Sequence, residues 1–226
     1  MSQELEYTIT SKSCTAWKEN LEIGSSSFFL REEDRLLPVM QMGEIPVKTC
    51  MSYEDGVYNN CLLACHDANK KVLYLTYNGK TVLRAAIRLT KGAYTDMREF
   101  NSKRKLEFAD LYDHNENGSE RVQHKESIVL FLERPYYAGL PKEKEIQAIE
   151  LILQLMKKKA KQLGALLILS RDYQDWNPKD FVKNDFFMYI SKSKAGAQYL
   201  DSLRGSRYVS EEGSYEKHRF LIWISH

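Results

Sequence analysis

The alternation of apolar and polar positions is clearest between residues 71 and 90. Lys71 to Thr76 (KVLYLT) and Thr81 to Thr90 (TVLRAAIRLT) are rich in β-branched and apolar residues, and they are joined across Tyr77-Asn78-Gly79-Lys80. Asn-Gly between two such runs predicts a β-hairpin, because both turn residues must take positive φ. The period of two places Leu83, Ala85, Ile87 and Leu89 on one face of the second strand and Arg84 and Arg88 on the other. A second pattern follows from 126 to 170. Glu126 to Arg134 (ESIVLFLER) reads as a strand, Pro135 to Pro141 as a loop, Lys142 to Leu163 as a long amphipathic helix, and Ala165 to Ser170 (ALLILS) as another strand. Those lengths predict a βαβ crossover between parallel strands. Gly164 stops the helix, and the lysines of its last turns complement the negative end of the helix dipole.

The remaining segments are read more coarsely. Met1 to Asn20 suggests an exposed or edge strand, Ser25 to Leu30 a short strand or a helix start, and Arg31 to Arg35 (REEDR) a solvated charged turn. Leu36 to Met42 is apolar and ends at Gly43. Ser52 with Asp55 resembles a capping box that opens a helix to about His66, whose stripe is Val57, Cys61, Leu62 and Cys65. Gly92 to His124 reads as a polar excursion with one short helix at about Phe100 to Leu111 and a loop around Asn115 to Ser119. A short helix is expected near Pro178 to Lys183 and a short strand or buried turn at Phe186 to Ser191. A helix over Ser193 to Leu203 should stop at Gly205, and Arg207 to Ser210 should pair with His218 to Ser225 around Gly213. Residues 1–48 form an N-terminal extension or subdomain, and residues 49–226 an α/β domain.

Composition narrows the function classes. Of 226 residues, 33 are basic and 31 acidic, so the net charge of +2 supplies no global field for nucleic acid or membrane. No apolar run approaches the roughly 18 residues of a membrane span, and no signal-type segment opens the chain; the expectation is a cytoplasmic protein. Four cysteines do not build a disulfide scaffold in a chain of this length. Fourteen tyrosines exceed what a core needs, and they suit grooves and contact surfaces.

Candidate chemistry is local. Cys61, Cys65 and His66, with Cys50, have zinc-ligand chemistry, but one helical turn within an apolar stripe suits buried thiols better, so no metal is expected. Cys50 before a helix start could be a thiolate nucleophile with His66 as base, although no oxyanion motif accompanies it. Arg84 and Arg88, with Tyr136 and Tyr137, could line a groove for phosphates, a carboxylate or single-stranded nucleic acid. Equally, the two arginines could pair with Glu133 across the sheet.

The order helix, Asn-Gly hairpin, strand, crossover helix, strand, helix and terminal hairpin, over about Ser52 to His226, resembles the GNAT acyltransferase fold: a mixed, mostly antiparallel sheet with the βαβ crossover at 126–170. The resemblance implies acyl-coenzyme A as cofactor, held at the start of the long helix by Arg134, Gly139 and Lys142. It also implies Glu133 as general base towards an amine and Tyr199 as general acid towards the leaving thiolate. The family's glycine-rich pyrophosphate loop corresponds here to Arg134-Pro135-Tyr136-Tyr137-Ala138-Gly139-Leu140-Pro141-Lys142, with one glycine between two prolines that lack amide donors. The implied function is therefore a GNAT-like protein turned to macromolecular binding, or an active N-acyltransferase. Thr49 to Gly92 and SKSKAGAQYLDSLRG also resemble proteins carried by phages and mobile elements. That implies an alternative, binding of nucleic acid or a host protein through the Tyr/Arg surface.

Overall fold

A computed structural model of the chain describes residues 11–59, 62, 69–94, 125–190, 197–200, 205–208 and 214–224. It is a mixed α/β protein built on an eight-stranded, mostly antiparallel sheet. In chain order the elements that build it are α1 (Ser11–Lys18), β1 (Glu22–Gly24), β2 (Phe28–Glu33), α2 (Leu36–Met40), β3 (Lys70–Tyr77), β4 (Lys80–Tyr94), β5 (Lys125–Tyr137), α3 (Glu145–Leu163), β6 (Leu166–Leu169), β7 (Val182–Ile190), β8 (Ala197–Leu200), β9 (Gly205–Tyr208) and β10 (Ser214–Trp223). The strand order is β1-β2-β3-β4-β5-β6-β10-β7, and β8 and β9 pair apart from it. The first two strands, from within residues 1–48, thus belong to the same sheet as the rest.

The hairpin forms where the Asn-Gly pair demands it, with φ of 49° at Asn78 and 77° at Gly79. β5 and β6 are parallel, in register from Val129 with Leu166 to Leu132 with Leu169, and α3 is the crossover between them. One stripe of α3, including Ala148, Ile152, Met156, Ala160 and Leu163, is buried against the sheet. The helix ends as its sequence requires. Gly164 takes φ of 65°, and the Ala165 N–H donates to the Ala160 carbonyl at 2.9 Å, a Schellman-type stop.

Three cores result. The largest lies between the sheet and the helices α1 and α3, and takes Leu83, Ala85 and Ile87 from one face of β4. A second contains Val129, Phe131, Ile168, Phe186, Met188, Phe220 and Ile222, which come from β5, β6, β7 and β10. β7 also pairs with β4 at Gly92 and Ala93, so β4, β5, β6, β10 and β7 return on themselves in a ring. The third core (Val39, Met42, Met51, Leu62, Val72, Tyr74) fastens residues 36–59 and Leu62 over β3 and β4 on the face opposite α3.

Several expectations are corrected. Residues 11–18 are helical, because Trp17 on one side of the turn is buried against the main core. Arg31 to Glu33 continue β2; Glu32 is buried against Lys71 and Lys159 from elsewhere in the chain, and Glu33 against its neighbours Arg31 and Arg35. The helix expected from Ser52 does not open there: the Ser52 hydroxyl accepts from the Glu54 and Asp55 amides, but 52–58 are turns and irregular chain and Val57 is 78% exposed, while Leu62, further along the expected helix, is helical. The segment 178–183 is not helical because Asp180 has φ of 67°, a left-handed value that breaks a right-handed helix. Ala197–Leu200 is a strand, not a helix, its backbone groups paired with Gly205–Tyr208; β9 therefore pairs with β8, while β10 pairs with β7 and β6. β5 runs on through Pro135 to Tyr137, where a loop is expected. The excursion 95–124 and residues Cys61, Cys65 and His66 lie outside the described residues.

The third core carries a pH signature. Tyr74 donates its hydroxyl to the Pro38 carbonyl at 2.6 Å, and burial pushes its pKa up to about 12 from 10.0. The folded value is raised, so this component of stability is complete below pH 10 and is lost as pH rises through about 12. Two pKa units correspond to about 3 kcal/mol. Denaturant unfolding at about pH 9 and about pH 11.5 should show the loss. Tyr74→Phe should shrink it, and an unchanged pH dependence in that variant would contradict the assignment.

Candidate functional site

Among the described residues, one of two clusters of buried polar side chains lies where β5 parts from β6; the other joins Glu32, Lys71 and Lys159. The two strands stay paired up to the Ser170 N–H, which donates to the Leu132 carbonyl at 2.9 Å. Beyond it the chain after β6 turns into a 3-10 helix, Arg171–Trp176, while β5 continues alongside β4. The departure has a local cause. Ile87 pairs with Leu132, but Ala85 pairs with Pro135, so three steps on β5 oppose two on β4. This is a bulge at Glu133 and Arg134, which bends the strand and re-aims its side chains. The carboxyl ends of adjacent parallel strands are also where open α/β sheets place their ligands.

Side chains fill the gap. Arg134 Nε donates to Asp172 Oδ1 at 3.1 Å, and the Ser170 hydroxyl donates to Asp172 Oδ2 at 2.9 Å, so the second strand's end is tied to the first. Burial lowers the Arg134 pKa, but the Asp172 charge and the Tyr136 hydroxyl outweigh it and hold the guanidinium above its ordinary value. The Tyr136 ring lies 4.0 Å from the Arg84 guanidinium carbon and 6.0 Å from that of Arg134. Arg84 is fully buried, with Nη2 donating to the Thr49 hydroxyl at 3.2 Å. Arg88 and Glu133 form a buried ion pair, with Nε and Nη2 at 3.3 and 3.2 Å from Glu133 Oε1. Tyr173 is wholly buried beside this cluster. Its hydroxyl has no hydrogen-bond partner among the described residues, and burial, with the charges of Asp172 and Glu133, pushes its pKa well up.

The expected site residues are thus only partly assembled. Arg84, Arg88, Glu133, Arg134 and Tyr136 come together, but as a packed cluster and not as an open groove. The physical reason is the layer formed by residues 36–59 and Leu62, which covers the arginine face of β4 and contributes Thr49. Tyr137, at 44% exposure, is the accessible aromatic of the pair. Gly139 and Lys142 are exposed in the turn before α3. Tyr199 stands on β8, away from the helix expected to carry it; only its backbone is described. Sequence reading missed Thr49, Ser170, Asp172 and Tyr173. Ser170 ends the segment ALLILS and Asp172 and Tyr173 come just after it, and the rule about carboxyl ends of parallel strands would have pointed to them.

The cofactor loop can be tested against its geometry. The Ala138 N–H donates to the Val82 carbonyl at 3.0 Å and the Lys144 N–H to the Pro141 carbonyl at 2.8 Å, while Pro135 and Pro141 have no N–H to give. α3 is entered through a 3-10 turn, Lys142–Lys144. Two amides of the segment are thus engaged, two of its positions have none, and its arginine is paired with Asp172, unlike the glycine-rich turn that presents a run of amides to a pyrophosphate. These residues do not fit acyl-coenzyme A.

Cys50 is half-buried against the third core. Among the described residues no group of three or more His, Cys, Asp or Glu side chains could hold a metal ion, and no helix is long and apolar enough to cross a membrane.

No protein-family model matches the chain, and no curated protein matches it. Among solved structures, an uncharacterized protein from Bacillus halodurans is similar at 10% identity over 88% of this chain and 90% of that one, with a TM-score of 0.38.

Proposed function

We propose that the chain is a GNAT-like protein whose coenzyme cleft is closed by its own side chains, and that it works by binding a macromolecule and not by acyl transfer. The observation that carries this reading is the Arg134–Asp172 bridge across the parting of β5 and β6, at 3.1 Å, with Tyr136 stacked beside it. In an acyltransferase of this architecture that space belongs to the cofactor. Two further features support the reading. Glu133, the implied base, is ion-paired with Arg88 in a buried site, so taking a proton from an amine would cost that pair. Tyr199, the implied acid, lies on a strand outside the main sheet.

Isothermal titration with acetyl-coenzyme A tests it. No heat is expected at millimolar ligand, either for the natural chain or for Asp172→Ala, since opening the bridge does not restore the missing amide donors. Saturable heat with the natural chain would overturn the reading and return Glu133 and Tyr199 to candidate catalytic roles.

A further inference from the structure

The lysine run Lys157, Lys158, Lys159 and Lys161 near the end of α3 divides in the fold. Lys157 pairs with Asp180 at 3.2 Å and faces the Phe181 and Trp223 rings. Lys159 is buried and pairs with Glu32. Lys158 and Lys161 remain on the exposed side of the helix, one turn apart. They border a groove of about 630 Å³ between α1 and α3, whose other wall carries Lys12, Thr15 and Glu19. Lys12, Lys158 and Lys161 are all exposed, and none has an ion-pair partner among the described residues.

We infer that this groove is a contact surface for the phosphate backbone of double-stranded nucleic acid. Three ammonium groups from two helices face a groove in which Glu19 is the sole acid among the described residues, a local excess of positive charge on a chain of net charge +2. A dense polyanion gains from such a surface by releasing its counterions. The lining also argues against neighbouring classes of partner. Ser11, Thr15, Ala16 and Gln162 complete it among the described residues, and no aromatic ring is among these. Single-strand binders use aromatic platforms for bases, and membrane-surface helices bring large apolar side chains to the interface. This surface offers charge and small polar groups, which suits sequence-independent contact with phosphates. The inference is independent of the coenzyme cleft: acetyl-coenzyme A binding would overturn the closed-cleft reading and leave this one standing.

Fluorescence anisotropy with a labelled mixed-sequence DNA duplex is the test, with the single strand and phosphatidylserine vesicles as comparisons. Three phosphate contacts predict a fall in affinity of about 40-fold between about 50 and about 200 mM salt. The triple change K12E, K158E and K161E should weaken duplex binding at least about 10-fold at the lower salt, and the triple arginine version should retain it. These positions are exposed, and an unchanged circular dichroism spectrum would confirm that the variants fold. Absence of duplex binding, binding of vesicles or single strands in preference to the duplex, or an unchanged affinity in the triple glutamate variant would each overturn the inference.

Discussion

Replacing Glu32 by alanine is expected to lower stability by about 3–5 kcal/mol, a large part of the total for a domain of ordinary stability. Glu32 is buried, and one of its carboxylate oxygens lies 3.3 Å from Lys71 Nζ and 3.0 Å from Lys159 Nζ, both themselves buried. Without it, two ammonium groups would remain in a dry site. Apart from the half-exposed Asp34 carboxylate, 3.8 Å from Lys71 Nζ, their other partners are dipoles. Lys71 reaches the carbonyls of Lys18 and Glu19 and the Asn20 side chain, and Lys159 reaches the carbonyls of Trp17 and Glu19. The carbonyls at the end of α1 carry its partial negative charge, and the Trp17 ring lies 5.1 and 5.6 Å from the two nitrogens. These contacts orient α1 against β2, β3 and α3, but they do not replace a full negative charge. Adding Lys159→Met to the alanine variant should recover part of the loss, because it removes one uncompensated cation; the two changes should be strongly non-additive. A cost below about 1 kcal/mol for Glu32→Ala in denaturant unfolding would show that the cluster is hydrated and the argument wrong.

The same cluster has a pH consequence of opposite sign to that of Tyr74. Burial lowers the Lys159 pKa below 10.5, opposed by the charge of Glu32 and assisted by that of Lys71. The folded value is depressed, so the associated stability is fully present above pH 10.5 and is lost as pH falls through the folded value. Between those limits the unfolded chain binds more protons, and Lys159→Met should remove that contribution.

Local chemistry made part of this architecture readable from the residues alone. Asn78-Gly79 marks the hairpin because few other pairs accept its dihedrals, and Gly164 marks the end of α3 for the same kind of reason. The period of two along β4 separates Leu83, Ala85 and Ile87 from Arg84 and Arg88, which the fold places on opposite faces. What stayed hidden depends on distant partners. REEDR reads as a solvated turn, since nothing near Glu32 in the chain announces Lys71, 39 residues on, or Lys159, 127 residues on. The AQYL segment has no helical or strand signal strong enough to compete with its pairing to residues 205–208, and tertiary context decided it. At the candidate site the arginines and Glu133 were visible as one face of a sheet. Their burial was not, because the layer that covers them is the loop-rich segment 36–59 with Leu62, whose apolar residues follow no single period.

That layer is the basis of the second large effect, the replacement of Gly43 by alanine, with an expected cost of about 3 kcal/mol or more. A Cβ at residue 43 would come within 2.1 Å of the Met51 carbonyl oxygen, 2.2 Å of its carbon and 2.5 Å of the Ser52 nitrogen. All three are backbone atoms in a segment held by its own hydrogen bonds, from the Thr49 N–H to the Gly43 carbonyl at 2.8 Å and from the Ser52 N–H to the Thr49 carbonyl at 2.9 Å. No rotation of a side chain relieves the contact; the 49–52 backbone must move. Thr49 would move with it and loosen its 3.2 Å contact with the buried Arg84, so the damage extends to the cluster at the β5 bulge. Gly79→Ala is the matched comparison. Gly79 has φ of 77° but open space around its Cβ position, so alanine there meets only the left-handed backbone penalty of about 1–2 kcal/mol. Denaturant unfolding should rank Gly43→Ala as the more costly change. The reverse ranking would mean that residues 43–52 yield easily, and that the covering layer does not hold Arg84 in place.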